Sequence, residues 1–340
     1  MCIRDSNNSL RIPGLQSGAS NGQVLTYNSS NGNITLADAG GGGLSNNALD
    51  SNSLGIGTNA LDSETAGGHG KNVAVGKQAL DAVTSGGDNT AVGYQALKGI
   101  TTVRFCTAVG SESLAVSTGA KNTAFGAESL RFNSTGTDNV ASGYQALRAN
   151  SEGFGNVAIG NSALLSNTTA GQNSAVGYNA GLLNTTGQKN CFIGSLAGRS
   201  NTTGSYQVFI GQSAGNSNTT GAEIVAIGYQ ASYNNTTNAS ITAIGYKAGY
   251  TCGNNCTYLG YQAGFNASAT GAHNNTGMGA YSLYATTTGT DNTALGYQAG
   301  FANTSGGSNT YIGSGAGKAH ASGGGSIFIG MNACSGITSA

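Results

Sequence analysis

One glycine recurs along this chain at a spacing of seventeen residues, and this period limits the fold more than any other feature. The glycine ends phrases such as NTAVG at residues 89–93, and twelve of its sixteen intervals are 17 residues, the others being 15, 16, 19 and 19. A short period sustained this long is typical of an array whose units pack only on their neighbours. These marker glycines are Gly57, Gly76, Gly93, Gly110, Gly126, Gly143, Gly160, Gly177, Gly194, Gly211, Gly228, Gly245, Gly260, Gly279, Gly296, Gly313 and Gly330.

The residues around each marker glycine predict a short β-strand. Val, Ile or Thr stands mostly at the third and the first residue before the glycine, and this alternation has the period of two that a strand requires. We predict that these β-branched residues form one wall of a thin interior. The residue between them is then expected to face outward, which would expose Phe192, Phe209, Tyr258 and Phe328.

A second position of constant size follows the marker glycine. Its third successor is Ala or Ser in all seventeen repeats, which implies a site where a larger side chain would clash. We predict a second short strand here, followed by an Asn-Thr-Thr-Gly type of turn. The residues predicted to have structural roles are Gly93, Gly160, Gly177, Gly211, Gly228, Ala146, Ala180 and Ala231.

The repeats predict an all-β fold, a parallel β-solenoid (β-roll) of about 17 residues per rung, over residues 53–340. Residues 1–38 form a leader without the repeat, in which residues 22–27 and 33–36 suggest two strands around a turn. Residues 39–52 hold a Gly-rich linker and a degenerate rung. Residues 1–6 match nothing that follows, and the array stops soon after a marker glycine, so the sequence suggests a fragment.

Composition argues against several classes of function. Thirteen basic and thirteen acidic residues give a net charge of zero, and no cluster of Lys and Arg suggests a nucleic-acid partner. No apolar stretch approaches the ~20 residues that span a bilayer, and no phosphate-binding loop or metal-ligand pattern occurs. We therefore expect no catalytic residue, cofactor or metal, and no membrane insertion.

Three groups of side chains leave alternatives open. Cys252 and Cys256 lie in the shortest interval, where a disulfide could close the contracted loop. Five acidic residues of the first rungs are predicted to lie in turns and line a solvated edge rather than a cleft: Asp50, Asp62, Glu64, Asp81 and Asp88. A Tyr row directly after the marker glycine suggests a packing stripe or, alternatively, a carbohydrate surface; it comprises Tyr94, Tyr144, Tyr178, Tyr229, Tyr246, Tyr261 and Tyr297.

The phrases at residues 89–97 (NTAVGYQAL), 156–160 (NVAIG) and 292–296 (NTALG) resemble the head repeats of YadA-like trimeric autotransporter adhesins. The repeats look equally like those of phage tail-fibre proteins that carry a C-terminal intramolecular chaperone domain. The resemblance covers residues 53–335. It implies a left-handed parallel β-roll assembled as a homotrimer, on a cell surface or a virion.

The sequence as a whole thus predicts a structural or adhesive fibre protein that is not an enzyme. It would be the shaft or head of an extracellular tail fibre or surface adhesin, presenting a surface to a host receptor or glycan. The alternatives are a carbohydrate-active enzyme or an ice-binding protein built on a β-solenoid. Ice binding is disfavoured because the Asn-Thr-Thr triplets are expected in turns rather than on a flat strand.

Overall fold

The computed structural model confirms an all-β fold with a parallel β-solenoid of one strand per rung. It describes residues 53–64, 70–268, 270–336 and 338, together with the main chain of four short strands in the leader. The chain divides into two compact units, Met1–Glu152 and Gly153–Ala340. The predicted linker at residues 39–52 lies outside the described residues.

The first unit holds four leader strands and a ladder of six rungs. The predicted pair of leader strands is confirmed as an antiparallel hairpin, β3 with β4, whereas the pairing of β1 with β2 was not anticipated. Strands β5 to β10 pair in parallel, each in register with the strand one repeat later. The bounds are β1 Ile3–Arg4, β2 Leu10–Arg11, β3 Gln23–Asn28, β4 Asn33–Asp38, β5 Leu54–Ile56, β6 Val73–Val75, β7 Thr90–Val92, β8 Thr107–Val109, β9 Thr123–Phe125 and β10 Val140–Ser142.

The second unit holds a parallel ladder of eleven rungs with the same register rule. At about 4.8 Å per step, its ten steps span about 48 Å. The bounds are β11 Val157–Ile159, β12 Ser174–Val176, β13 Cys191–Ile193, β14 Val208–Ile210, β15 Ile224–Ile227, β16 Ile241–Ile244, β17 Thr257–Leu259, β18 Thr276–Met278, β19 Thr293–Leu295, β20 Thr310–Ile312 and β21 Ile327–Ile329.

The strands face the opposite way from the sequence prediction. In each strand from β5 to β21 the residue two positions before the marker glycine, here called the central residue, is buried. Phe192, Phe209 and Tyr258 have 0% exposure and Phe328 has 9%. The flanking β-branched residues face outward, as Ile159 does at 44% exposure. The prediction was wrong because β-branched residues favour strands on either face. The narrow interior instead admits Ala in most rungs and an aromatic ring in a few.

The predicted second strand is also absent from the described rungs, and a left-handed turn takes its place. The marker glycine and its second and fourth successors all have positive φ, as at Gly93 (132°), Gln95 (56°) and Leu97 (51°). Three positive φ values in alternation cannot extend as a strand. The third successor, including Ala146, Ala180 and Ala231, has no solvent exposure in any rung but the last, where Ala333 is partly exposed.

Marker glycines are required by two independent constraints, which Gly211 illustrates. Its φ of 128° lies in a region that L-residues rarely adopt. A Cβ added there would lie 2.5 Å from the carbonyl oxygen of Gly228, the marker glycine of the next rung. Gly93, Gly160, Gly177 and Gly228 share this geometry, with φ between 131° and 139°.

Two positions share the interior of a rung: the central strand residue and the fourth residue after the marker glycine, which is Leu from Leu61 to Leu164 and mostly Gly later. Where the fourth successor is Leu, as at Leu147, the central strand residue is small, as at Ala141. Where the central residue is aromatic, as at Phe209, the fourth successor is Gly215, whose added Cβ would lie 2.5 Å from that ring. No rung has a large side chain at both positions, so the interior accommodates at most one per rung. Four rungs are small at both positions: Ala175 with Gly181, Ala226 with Ser232, Ala243 with Gly249 and Ala294 with Gly300.

Two rows of buried polar residues, mostly Asn, run along the interior. The entry row precedes each strand, and Asn190 in it donates Nδ2 to Gly204 O while its Oδ1 accepts the main-chain N–H of Gln207. The exit row lies seven residues after the marker glycine, and Asn201 in it donates to Asn184 Oδ1 at 2.7 Å. These amides satisfy main-chain groups that the tight rung buries.

All variation in the period lies in the turn between the exit row and the entry row. Most rungs place six residues of spacing there, as from Asn184 to Asn190. The 15-residue interval shortens the spacing to four, between Cys252 and Cys256, and the following 19-residue interval lengthens it to eight, between Ala267 and Asn275. The strand and its left-handed turn are therefore constant, and insertions are confined to one corner.

Replacing Asn184 with Ala should destabilise the second unit by about 2 kcal/mol or more. The change removes the amide that donates to Asn167 Oδ1 and Gly187 O and accepts from Asn201 Nδ2. Loss of the partner of a buried polar group costs roughly 1–3 kcal/mol. Urea unfolding followed by circular dichroism measures the loss. Asn161→Ala, at an exposed position, is the control; equal midpoints for the two variants would contradict a structural role for the row.

Candidate functional site

The second unit carries a surface built from two rows of aromatic side chains, which we call the aromatic platform. The first row contains Tyr229, Tyr246, Tyr261 and Tyr297 at the position after the marker glycine. The second row, four residues further on, contains Tyr233, Tyr250, Phe265, Tyr284 and Phe301. Within a row, parallel neighbours such as Tyr246 and Tyr261 have ring centroids 5.0 Å apart.

A row of polar residues lies between the two aromatic rows. Lys247 places its Nζ 5.4 Å from the Tyr246 ring of the first row and 5.9 Å from Tyr250 and Phe265 of the second. At the equivalent position Tyr281 contacts both rows, since its ring lies 5.3 Å from Tyr261 and 5.8 Å from Tyr284. Gln230, Gln262 and Gln298 occupy the same position in other rungs.

Tyr281 stands where the regular pattern is broken, because Ala280 follows the marker glycine in that rung. Its ring is turned 67° from Tyr261 and 81° from Tyr297, so it joins the rows edge to face. Desolvation, followed by the neighbouring phenols of Tyr261, Tyr297 and Tyr284, raises the pKa of Tyr281. Its hydroxyl is therefore neutral and able to donate a hydrogen bond at physiological pH.

The platform is amphipathic, with apolar ring surface and hydroxyl, amide and ammonium groups in reach of solvent. Tyr261 and Tyr297 are 45% and 51% exposed. The two carboxylates of the second unit, Glu223 and Asp291, lie five residues before their marker glycines and accept hydrogen bonds from Ser240 and Asn274. The sequence prediction found only the first row. The second row contains both Tyr and Phe, so no single residue type identifies it in the repeats.

Charged side chains are distributed unevenly between the two units, although the net charge of the whole chain is zero. Residues 1–152 contain 20 of the 26 charged side chains. In that unit Arg131 pairs with Glu112 and, at 3.5 Å, with Glu128, which also accepts from Arg148 Nε at 2.6 Å. The guanidinium groups of Arg131 and Arg148 lie 5.1 and 4.9 Å from the centre of the Phe132 ring. These carboxylates thus belong to an ion-pair network.

That network does not provide the pair of carboxyl groups that a glycosidase needs. The Arg148 hydrogen bond, with a smaller effect of Gln145, lowers the pKa of Glu128, whereas a general acid requires a raised pKa. Among the acidic residues predicted to lie on a solvated edge, Glu64 is buried at 4% exposure. It accepts hydrogen bonds from Ser53 Oγ and Asn72 Nδ2.

The two cysteines of the shortest rung occupy both interior rows. Cys252 takes an exit-row position and Cys256 an entry-row position, and both are buried free thiols. Burial raises the pKa of both thiols, so neither is a reactive thiolate at neutral pH. The disulfide between them stays a prediction.

No family model, curated protein or solved structure matches this chain. Among the residues that the structure describes, no group of three His, Cys, Asp or Glu side chains is placed to hold a metal ion. The same residues include no helix of the length and apolar character that crossing a membrane requires. The repeat architecture and the aromatic platform are therefore the features from which a function can be argued.

Proposed function

We propose that this chain is a structural module of an extracellular fibre, the shaft or head of a tail fibre or surface adhesin. It would associate as a homotrimer and present a surface to a host receptor or glycan, on a virion or a cell surface. The observation that supports it best is the outward strand face. Two rows of side chains face outward, at the third and the first residue before the marker glycine. Neither row carries a charged residue in any of the seventeen strands β5 to β21.

The outward face has the chemistry of a surface that another chain covers. In the second unit the row directly before the marker glycine consists of apolar side chains. Ile193, Leu259 and Leu295 in this row are 40%, 39% and 48% exposed. Continuous exposed apolar surface marks interaction sites in soluble proteins. A partner with the same repeat matches this row rung by rung, which favours a second copy of the chain. The resemblance to the heads of trimeric adhesins suggests that the assembly contains three copies.

Sedimentation or light scattering should find a particle of three times the 33.5 kDa chain mass. Leu295→Lys places a charge within the apolar row and should dissociate the trimer, because an unpaired charge cannot be buried without a large penalty. Ser305→Lys adds the same charge to an exposed turn and should leave the mass unchanged. A monomeric parent protein contradicts the proposal.

One observation favours ice binding as a second candidate. Five threonines form an in-register row on the outward strand face, not only in turns as the sequence suggested: Thr242, Thr257, Thr276, Thr293 and Thr310. A flat row of hydroxyl and methyl groups beside an apolar row could order water. Inhibition of ice recrystallisation, abolished by Thr276→Lys, would support this function and exclude burial of the same face in a trimer.

A further inference from the structure

We propose that the aromatic platform binds an acidic polysaccharide, with sugar rings packed on the tyrosines and a carboxylate held by Lys247. This inference rests on the proposed function, because it assigns the receptor-binding surface of the fibre to these residues. Both rows lie in one unit and repeat with the rungs, so the platform offers the same contacts several times along its length. Such repetition suits a polymeric ligand better than a small molecule.

The chemistry of the rows matches a sugar polymer. Pyranose rings have apolar C–H faces that pack against aromatic rings and hydroxyl edges that need hydrogen-bond partners. The first row supplies tyrosine rings that are 39–51% exposed, the second row supplies rings that are partly buried, and the amides of Gln230, Gln262 and Gln298 lie between them. Because Tyr229, Tyr246 and Tyr261 are stacked on one another, a pyranose ring would lie across their exposed edges and hydroxyls. The centroid spacing of 5.0 to 5.3 Å along Tyr229, Tyr246 and Tyr261 is close to the length of one pyranose residue in an extended chain.

Lys247 gives the platform its preference for an anionic ligand. Its ammonium lies among three rings, and none of the ion pairs found in the described residues involves it. A cation already placed over ring faces keeps its full charge for a ligand carboxylate. The two carboxylates of the unit hydrogen-bond to residues outside the platform, so they do not compete for this ammonium.

Affinity electrophoresis and calorimetry with polygalacturonate should show binding that hydroxyethyl cellulose reproduces only weakly. Polyacrylate, which carries carboxylates without sugar rings, should not bind. Tyr246→Ala and Tyr261→Ala should each lower the affinity about tenfold, the loss expected for an aromatic residue at the centre of an interface. Lys247→Gln should abolish the preference for the acidic polymer and reduce the dependence of binding on salt.

Tyr178→Ala is the matched control, because Tyr178 holds the same register at 56% exposure but lies between Asn161 and Ser195 in adjacent rungs. Equal losses in Tyr178→Ala and Tyr261→Ala, absence of polygalacturonate binding, or equal binding of polyacrylate overturn the inference. Sedimentation of the same samples separates the two proposals. A trimer that binds no polysaccharide refutes the platform alone, and a monomer that binds it refutes the assembly alone.

Discussion

Gly211→Ala is expected to lower the stability of the second unit by about 3–5 kcal/mol. The new Cβ costs roughly 1–3 kcal/mol through its backbone conformation alone, since φ is 128°. It also comes within 2.5 Å of the Gly228 carbonyl oxygen, so the two rungs must separate and weaken the ladder between them. Urea or thermal unfolding followed by circular dichroism measures the change.

Gly330→Ala is the control that separates these two contributions. Gly330 has a similar φ of 119°, but an added Cβ there meets nothing within 4 Å. Its substitution should therefore cost only the backbone contribution and lower stability by clearly less than Gly211→Ala. Equal losses would show that the close approach of successive marker glycines is not what fixes this position.

The second large effect is expected from exchanging the two residues that fill one rung. Gly264→Leu drives a side chain into the Tyr258 ring, whose Cδ1 lies 2.5 Å from the added Cβ, and should cost about 3 kcal/mol. Tyr258→Ala empties the same rung and should cost about 3–5 kcal/mol. The double variant reproduces the Ala and Leu pairing of other rungs, such as Ala141 with Leu147, and should be more stable than either single variant.

The double-mutant cycle tests whether the two positions share one space. Coupled neighbours deviate from additivity by 0.5–3 kcal/mol or so, and we expect the upper part of that range. Losses that simply add would contradict the alternation of Leu and aromatic residues as a packing rule.

The period of the chain was sufficient to predict the solenoid but not the direction in which its strands face. The spacing of the marker glycine and of the constant Ala or Ser predicts one rung per repeat, whichever way the strand faces. The orientation of the strand depends on the interior width, which the sequence expresses only through the joint sizes of residues such as Ala141 and Leu147. Without that pairing, the β-branched residues at the strand flanks were taken for the interior wall.

The predicted second strand failed for a related reason. Leu97 and Leu147 favour a strand or helix by propensity, yet they have φ of 51° in the structure. Their burial outweighs the local cost of a left-handed conformation, which is about 1–2 kcal/mol per residue. The propensity of a single residue cannot predict this left-handed conformation. The stabilisation comes from packing inside the rung, and that packing is known only once the structure of the rung is known.

The candidate site was predictable in part. The first aromatic row follows the marker glycine and is visible in the sequence. The second row and the position of Lys247 between them depend on how the left-handed turn brings residues four apart onto one surface. Tyr281 illustrates the limit, because it departs from the repeat by one residue and yet connects the two rows.

Distances between spin labels along the second unit test the central claim, that each repeat is one rung of a parallel ladder. Labels would be placed at Asn161 paired with Tyr229 or with Tyr297, in a background where Cys2, Cys191 and Cys334 are replaced by Ser. The pairs are separated by four and eight marker-glycine steps. At about 4.8 Å per step the separations should be about 19 and 38 Å. Distances that do not double from the first pair to the second would contradict the solenoid.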